Sequence, residues 1–225
     1  MMKIGTKYLR GRMKKINDFW LPENDRYCHP VTYERRRQLY ESQTGWIKKH
    51  IRYKDLYVDI GANFGHTAIP FADVFKKIVC FEITPTNYEC LAKNTEPYPN
   101  IQCLNVGLSN VAGQVDIMEY PTAGSVNTII DTRLARSERG HVVKRNVVPL
   151  DYILPYEVAG FVKIDVEGHE VQVIEGAQEL LSRSRGLVYI ESVDTKEKVK
   201  ELLHELGWKF MFRHGFHDLV FKKRG

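Results

Sequence analysis

Asp55-Leu-Tyr-Val-Asp-Ile-Gly-Ala-Asn-Phe-Gly65 is the stretch that decides the fold. Leu56 to Ile60 form an apolar run long enough for a buried strand and too short for a helix. The run ends in Asp59, Gly61, Ala62, Asn63 and Gly65. An apolar pattern of helical spacing follows at Phe64, Ala68, Ile69, Phe71, Ala72 and Phe75, and predicts a helix there. A strand, a glycine turn and a helix open a nucleotide-binding α/β unit. Glycines let the backbone turn tightly and approach a ligand with no Cβ in the way. A helix N-terminus adds free N–H groups.

The acid narrows the ligand. A dinucleotide fingerprint reads G-x-G-x-x-G and seats a pyrophosphate at the helix N-terminus. Here the pattern is D-x-G-x-N-x-G, and Asp59 is a poor neighbour for a diphosphate. An Asp beside a glycine turn suits a cationic ligand, such as the ammonium and sulfonium of S-adenosylmethionine. The alternative is an ordinary turn with a capping Asp.

A second apolar run, Ile78 to Phe81, ends in Glu82. At the carboxyl end of a second parallel strand, that acid can take both ribose hydroxyls of a nucleotide. Thr84-Pro85 starts a helix to about Asn94, with Thr84 as N-cap and Pro at the first helical position. Ile101 to Val106 reads as a third strand. After it, Ser109 is either an adenine contact or a turn residue. Gly113 to Tyr120 alternates and adds a strand. Residues 121–143 lose periodicity and carry Gly124, Ser125, Asn127, Arg133, Arg136, Arg139 and His141; a long polar loop of this kind is expected to face the substrate.

The second signature is Phe161-Val-Lys-Ile-Asp-Val-Glu-Gly-His-Glu170. Its strand ends in Asp165, Glu167, His169 and Glu170. Packing alone does not call for four ionisable groups in six residues. At a strand's carboxyl end such a cluster marks a reaction centre. Two oxygens and one imidazole are a weak metal signal, so no metal is expected. A helix is expected from Val171 to Leu181, a strand over Leu187 to Glu191, and a helix from Thr195 to Leu206 with Gly207 at its end. Trp208 to Phe212 and Asp218 to Phe221 then close the sheet as an antiparallel hairpin.

Length suggests one domain with an appendage. Residues 1–54 carry 14 Lys/Arg against 5 Asp/Glu, and residues 55–225 carry 19 against 23. The expected division is therefore a basic arm and helix over 1–54, packed on a body of 55–225. Lys3, Lys7, Arg10, Arg12, Lys14 and Lys15 read as a solvated arm or a contact for phosphate. Phe19, Trp20 and Leu21 read as its docking point. The helical pattern from Tyr33 to Ile51, weakened by Gly45, could cover one side of the cleft. No apolar run reaches membrane-spanning length. No signal peptide is visible and no C-x-x-C pair occurs among Cys28, Cys80, Cys90 and Cys103, so cytosol is the default location.

VDIGANFG and KIDVEGHE, in this order and with FEITPTNYECLAKN, NVGLSN and PLDYIL between them, resemble the FkbM family of S-adenosylmethionine-dependent methyltransferases. The resemblance covers roughly residues 55–192. It implies a class I methyltransferase (Rossmann-like) α/β fold: seven strands, mostly parallel, an antiparallel C-terminal hairpin, and helices on both faces. It implies S-adenosyl-L-methionine as cofactor and methyl transfer to oxygen, often of a sugar or natural product. Asp59, Gly61, Asn63, Gly65 and Glu82 match the cofactor positions. Asp165, Glu167 and His169 match the acidic motif beside the methyl donor; one of them is the expected base, and His169 has the better unperturbed pKa for it. Ile83-Thr84 departs from the family, which commonly has Pro after the acid.

Two other readings compete. A nucleic-acid methyltransferase would use the basic arm, but the signature Asn/Asp-Pro-Pro-aromatic is missing after the fourth strand. A nicotinamide-dependent oxidoreductase or non-catalytic nucleotide-binding module would need a different glycine spacing. The acceptor's identity, the oligomeric state and the pathway are not written in the sequence.

Overall fold

The computed structural model describes residues 13–23, 25, 34, 38, 41, 44–120, 128–129 and 140–224. A hairpin, β1 (Met13–Ile16) and β2 (Phe19–Pro22), comes first. A helix α1 covers residues 44–50. The main sheet holds β3 (Leu56–Ile60), β4 (Lys77–Phe81), β5 (Ile101–Leu104), β10 (Phe161–Ile164), β11 (Leu187–Glu191), β12 (Trp208–His214) and β13 (Asp218–Lys223). A smaller sheet holds β6 (Gly107–Leu108), β7 (Gly113–Glu119), β8 (Thr128–Ile129) and β9 (His141–Val148). The remaining helices are α2 (Pro85–Thr95), α3 (Leu150–Ile153), α4 (Glu170–Glu175), α5 (Gln178–Arg183) and α6 (Lys196–Glu205).

The seven strands run in the order β12-β13-β11-β10-β3-β4-β5. β3 is central and pairs in parallel with both β4 and β10. Only β12 and β13 run antiparallel to their neighbours. The sheet therefore has the expected form, with the last hairpin reversed. Strands buried on both faces need apolar side chains on both sides, and all five residues of β3 are buried. One face packs Val58, Ile60, Val162 and Val188 against α4, α5 and α6. The other packs Tyr57, Ile78 and Phe161 against Phe71, Phe75 and the α1 residue Ile47. Tyr57 stacks on Phe161 at 4.6 Å and meets Phe71 edge-on at 5.4 Å. Cys80 and Cys103 are register partners on β4 and β5 and are unbonded thiols. Cys28 lies outside the described residues.

Three expectations about helices change. Phe64 to Phe75 is a series of turns with one short 3-10 turn at Ile69–Phe71. Pro70 explains this: it has no N–H to donate, so the chain makes Ile69 N–H···O Gly65 and then tighter bonds such as Phe71 N–H···O Ala68. The helix after the second signature is split into α4 and α5 at Gly176. A Cβ there would lie 2.0 Å from the Ser109 carbonyl oxygen, so the neighbouring backbone occupies the side-chain position. α1 continues through Gly45, but its described residues pack on the Phe71 face and do not line the pocket.

The N-terminal hairpin was not foreseen. It docks where Phe19–Leu21 were expected to dock. Asn94 of α2 accepts from the Trp20 N–H at 2.6 Å and donates to the carbonyls of Trp20 and Phe64 at 2.9 Å. Lys93 sits 4.2 Å over the Trp20 ring. Lys3, Lys7, Arg10 and Arg12 lie outside the described residues, as do Gly124, Ser125, Asn127, Arg133, Arg136 and Arg139 of the expected substrate loop. The C-terminal end of that loop is strand: β9 begins at His141 and pairs with β7 through Glu119. No helix among the described residues is long and apolar enough to cross a membrane.

The central strands are tied at their carboxyl ends by a contact that only glycine allows. Gly61 has φ +77°, and a Cβ on it would lie 1.8 Å from the carbonyl oxygen of Asp165. Both the positive φ and the overlap penalise alanine. Gly61→Ala should lower unfolding stability in urea by about 3 kcal/mol or more. Gly113→Ala, where a Cβ meets nothing within 4 Å, should change it little.

Candidate active site

The carboxyl ends of β3, β4 and β10 open into one pocket of about 690 Å³, its mouth included. In an open parallel sheet this is where ligands bind. The first signature loop folds back over the end of β4: the N–H groups of Gly61 and Ala62 both donate to the Phe81 carbonyl at 3.0 Å. That reversal needs left-handed backbone, which Gly61 and Asn63 (φ 52°) supply. Gly65, with φ +93°, faces Leu91 of α2 and makes the turn without lining the pocket.

Glu82 stands just past β4 and lines the pocket. One carboxylate oxygen accepts from the Asn63 N–H and the other from the Thr84 N–H, both at 2.9 Å. Thr84 precedes α2 as expected, but its hydroxyl makes no capping bond. Burial pushes the Glu82 carboxyl up to about 7, against the pull of those bonds and of Lys163. Each carboxylate oxygen has two acceptor sites, so acceptor capacity remains for a ligand beside the two backbone donors and the Thr84 hydroxyl. Beside it, Asn63 Oδ1 is buried with no hydrogen-bond partner. It borders the pocket and suits a ligand's ammonium or hydroxyl donor.

Asp59 is placed differently from the expectation. It is fully buried and does not line the pocket. Strand alternation turns it to the Tyr57 face, where its Oδ2 accepts from Thr67 Oγ1 at 2.7 Å. Its Oδ1 lies 3.6 Å from Lys163 Nζ. Its carboxylate thus faces Lys163 and the turn that Thr67 belongs to. Ala62 is also buried outside the pocket lining.

Lys163 was quoted in the second signature but given no role. It is buried in β10, and its Nζ lies 3.1 Å from Asp165 Oδ2 as well as near Asp59. The readable signal was a lysine inside an otherwise apolar strand, because a buried charge needs a counter-charge. Lys163 thus links the ends of the two signatures electrostatically, as Gly61 links them sterically.

Asp165, Glu167 and His169 all line the pocket. Glu167 has φ 53°, a left-handed conformation rare for a side-chain-bearing residue. Burial pushes its carboxyl up to about 8, helped by Asp165, Glu191 and Glu170 and opposed by Lys163. Glu170 is buried; it accepts from the Gly168 N–H at 2.7 Å and from Thr195 Oγ1 at 2.9 Å, so it braces the loop. His169 Nε2 lies 3.0 Å from Ser109 Oγ, and both residues are buried. Ser109, expected as an adenine contact or a turn residue, is not part of the pocket lining, and its hydroxyl meets the His169 ring. That bond ties the loop after β6 to the second signature. A fourth acid, Glu191, was missed; Asp165, burial and Asp218 together push it up to about 7.

The family model described as Methyltransferase FkbM domain matches residues 59–218. The hexuronic acid methyltransferase AglP of Haloferax volcanii is 29% identical over 165 residues, which are 66% of this chain and 61% of that protein. The chain thus spans less than two thirds of that relative's length. The crystal structure of Methyltransferase FkbM from Methylobacillus flagellatus superposes with a TM-score of 0.55 at 17% identity, covering 87% of this chain and 50% of that one. An rRNA methylase of Streptococcus thermophilus gives 0.53 at 12% identity, over 81% and 95% of the two chains. At these identities the structures share the fold, the class I methyltransferase fold.

The raised carboxyls set the sign of the pH dependence. Glu82, Glu167 and Glu191 hold protons in the folded state up to about 7, 8 and 7, whereas the ordinary value is 4.5. Between those limits the folded chain binds more protons than the unfolded one, so stability falls as pH rises. Tm should be highest near pH 5 and decline towards pH 8.5. Glu167→Gln, which mimics the protonated form, should match wild type at pH 5 and exceed it by roughly 10 °C at pH 8.5.

Proposed function

The chain belongs to the FkbM methyltransferase family, and on that premise we propose that it transfers a methyl group from S-adenosylmethionine to a hydroxyl oxygen of a sugar or glycan. One observation carries the reading: a single pocket joins Glu82 and the unpartnered Asn63 Oδ1 on one wall to Asp165 and Glu167 on another. The first wall fits a ribose diol and an amino-acid ammonium. The second offers carboxylates to an acceptor hydroxyl.

When bound, S-adenosylmethionine supplies an electrophilic sulfonium methyl, and the pair of electrons of the C–S bond stays on sulfur. This chain's own residues then have three tasks. Glu82 takes the ribose hydroxyls while Asn63 and Thr84 hold its carboxylate in place. Asn63 Oδ1 accepts from the ammonium. Asp165 and Glu167 orient the acceptor hydroxyl, and a carboxylate takes its proton, because holding the reactants in line supplies most of the acceleration. His169, bonded to Ser109, keeps the pocket wall in place and leaves the base role to a carboxylate.

Oxygen is favoured over amino nitrogen because Asp165-Val-Glu-Gly follows β10, where an amino-methylating enzyme of this fold would carry its Pro-Pro signature. A glycan acceptor is supported by the hexuronic acid methyltransferase relative. The acceptor test is mass spectrometry of hexuronate-terminated and neutral glycans incubated with the chain and labelled methyl donor. A methyl ether survives mild alkali and a methyl ester does not, so alkali treatment separates hydroxyl from carboxyl methylation.

Cofactor binding is tested by calorimetry with S-adenosylhomocysteine. Glu82→Ala removes charge-assisted hydrogen bonds of about 1.5–3 kcal/mol and should weaken affinity roughly 10- to 100-fold. Unchanged affinity would move the ribose site away from Glu82. A folded wild-type chain with no affinity for S-adenosylhomocysteine or S-adenosylmethionine would overturn the reading.

A further inference from the structure

We infer that Glu191 is a positioning residue for Glu167: its carboxylate, set by strand register beside Asp165 and so next to the loop that carries Glu167, strengthens Glu167 as the base that takes the acceptor hydroxyl's proton. The inference rests on the methyltransferase reading above and adds to it which carboxylate is the base and what tunes it.

The placement follows from the sheet. Ile164 of β10 is the partner of Ile190 in β11, so the next residues, Asp165 and Glu191, stand side by side where the strands end. Glu191 is in turn the antiparallel partner of Asp218 in β13. Three neighbouring strands thus end in a row of carboxylates, Asp165, Glu191 and Asp218. Glu167 lies two residues past Asp165, in its left-handed conformation, on the pocket wall. A backbone held in that region at a pocket is a mark of a functional constraint.

The charges around this row come from every element packed on it. Lys163 of β10 is the cation facing Asp165, and Asp59 of β3 shares it. Glu170 of α4 faces Glu167 and Glu191 from below. From the C-terminal hairpin, His214 acts on Asp218, whose carboxyl also bonds Tyr189. Carboxylates outnumber the cation, and like charges at close range favour retained protons. Burial and Asp165 raise both carboxyls. Burial is the larger cause at Glu167, and Glu191 adds to it. A carboxylate of ordinary proton affinity is a weak base for a hydroxyl; one tuned towards the working pH is a better one. In the transfer the hydroxyl oxygen gains the methyl, and its proton passes to Glu167, which returns it to solvent.

The test reads Glu167 itself and needs no acceptor. The full chain is labelled with [13C-carboxyl]glutamate, and the Glu167 resonance is identified as the one missing in Glu167→Gln. Its midpoint in wild type is expected near 8. Glu191→Gln should lower it by roughly 0.5–1 unit. Glu191→Asp, which keeps the charge but withdraws it, should fall between the two, and it serves alone if the Gln variant does not fold. A midpoint that stays put in Glu191→Gln overturns the inference, as does one moved equally by Gln and Asp, which would mean a structural disturbance. Calorimetry of the wild-type chain with S-adenosylhomocysteine separates the two failures. Binding with an unmoved midpoint removes only the role of Glu191; no binding removes the methyltransferase reading and the base assignment with it.

Discussion

The backbone contact between Gly61 and the Asp165 carbonyl is the constraint on which the site depends. Two loops more than a hundred residues apart in the chain meet there with no space for a Cβ between them. The contact is possible because β3 and β10 are parallel neighbours in register, with the Asp165 N–H donating to Ile60 O at 3.0 Å. Any side chain at position 61 would push the second signature off the end of the sheet. The acids of that signature would then no longer share a pocket with Glu82.

Charge makes the second link. The buried Asp59 and Lys163 and the half-buried Asp165 form a group in which one ammonium faces two carboxylates. Such groups are costly to bury and costly to break, so their value here is better sought in placement than in stability. Lys163 fixes Asp165 at the pocket edge. The surplus of negative charge falls on Glu167 and Glu191, which keep their protons to unusually high pH. Steric closeness at Gly61 and charge at Lys163 together account for a site made of two distant segments.

Most of the sheet was legible in the sequence, because strands buried on both faces are short apolar runs and β3, β4, β10 and β11 stand out as such. Glu82 and the second acidic cluster were legible for a related reason, since acids closing apolar runs have no packing role. What escaped reading depends on contacts between distant residues. The apolar spacing of Phe64 to Phe75 is helical, but Pro70 removes a donor, and spacing carries no hydrogen bonds. Gly176 breaks a helix because the Ser109 backbone lies against it. The side chains of Asp59 and Ser109 meet Thr67 and His169, partners that only the folded sheet brings near. Lys163 and Glu191 were visible as letters, and their roles arise from strand register.

The central claim is that the two signatures form one ligand site. Hydrogen–deuterium exchange of the full chain, with and without saturating S-adenosylhomocysteine, tests it most directly. The account predicts that peptides covering residues 59–65 and 165–170 gain protection together on binding, while the β1–β2 hairpin stays unchanged. Protection confined to the first segment, with 165–170 exchanging as in the free chain, would contradict it.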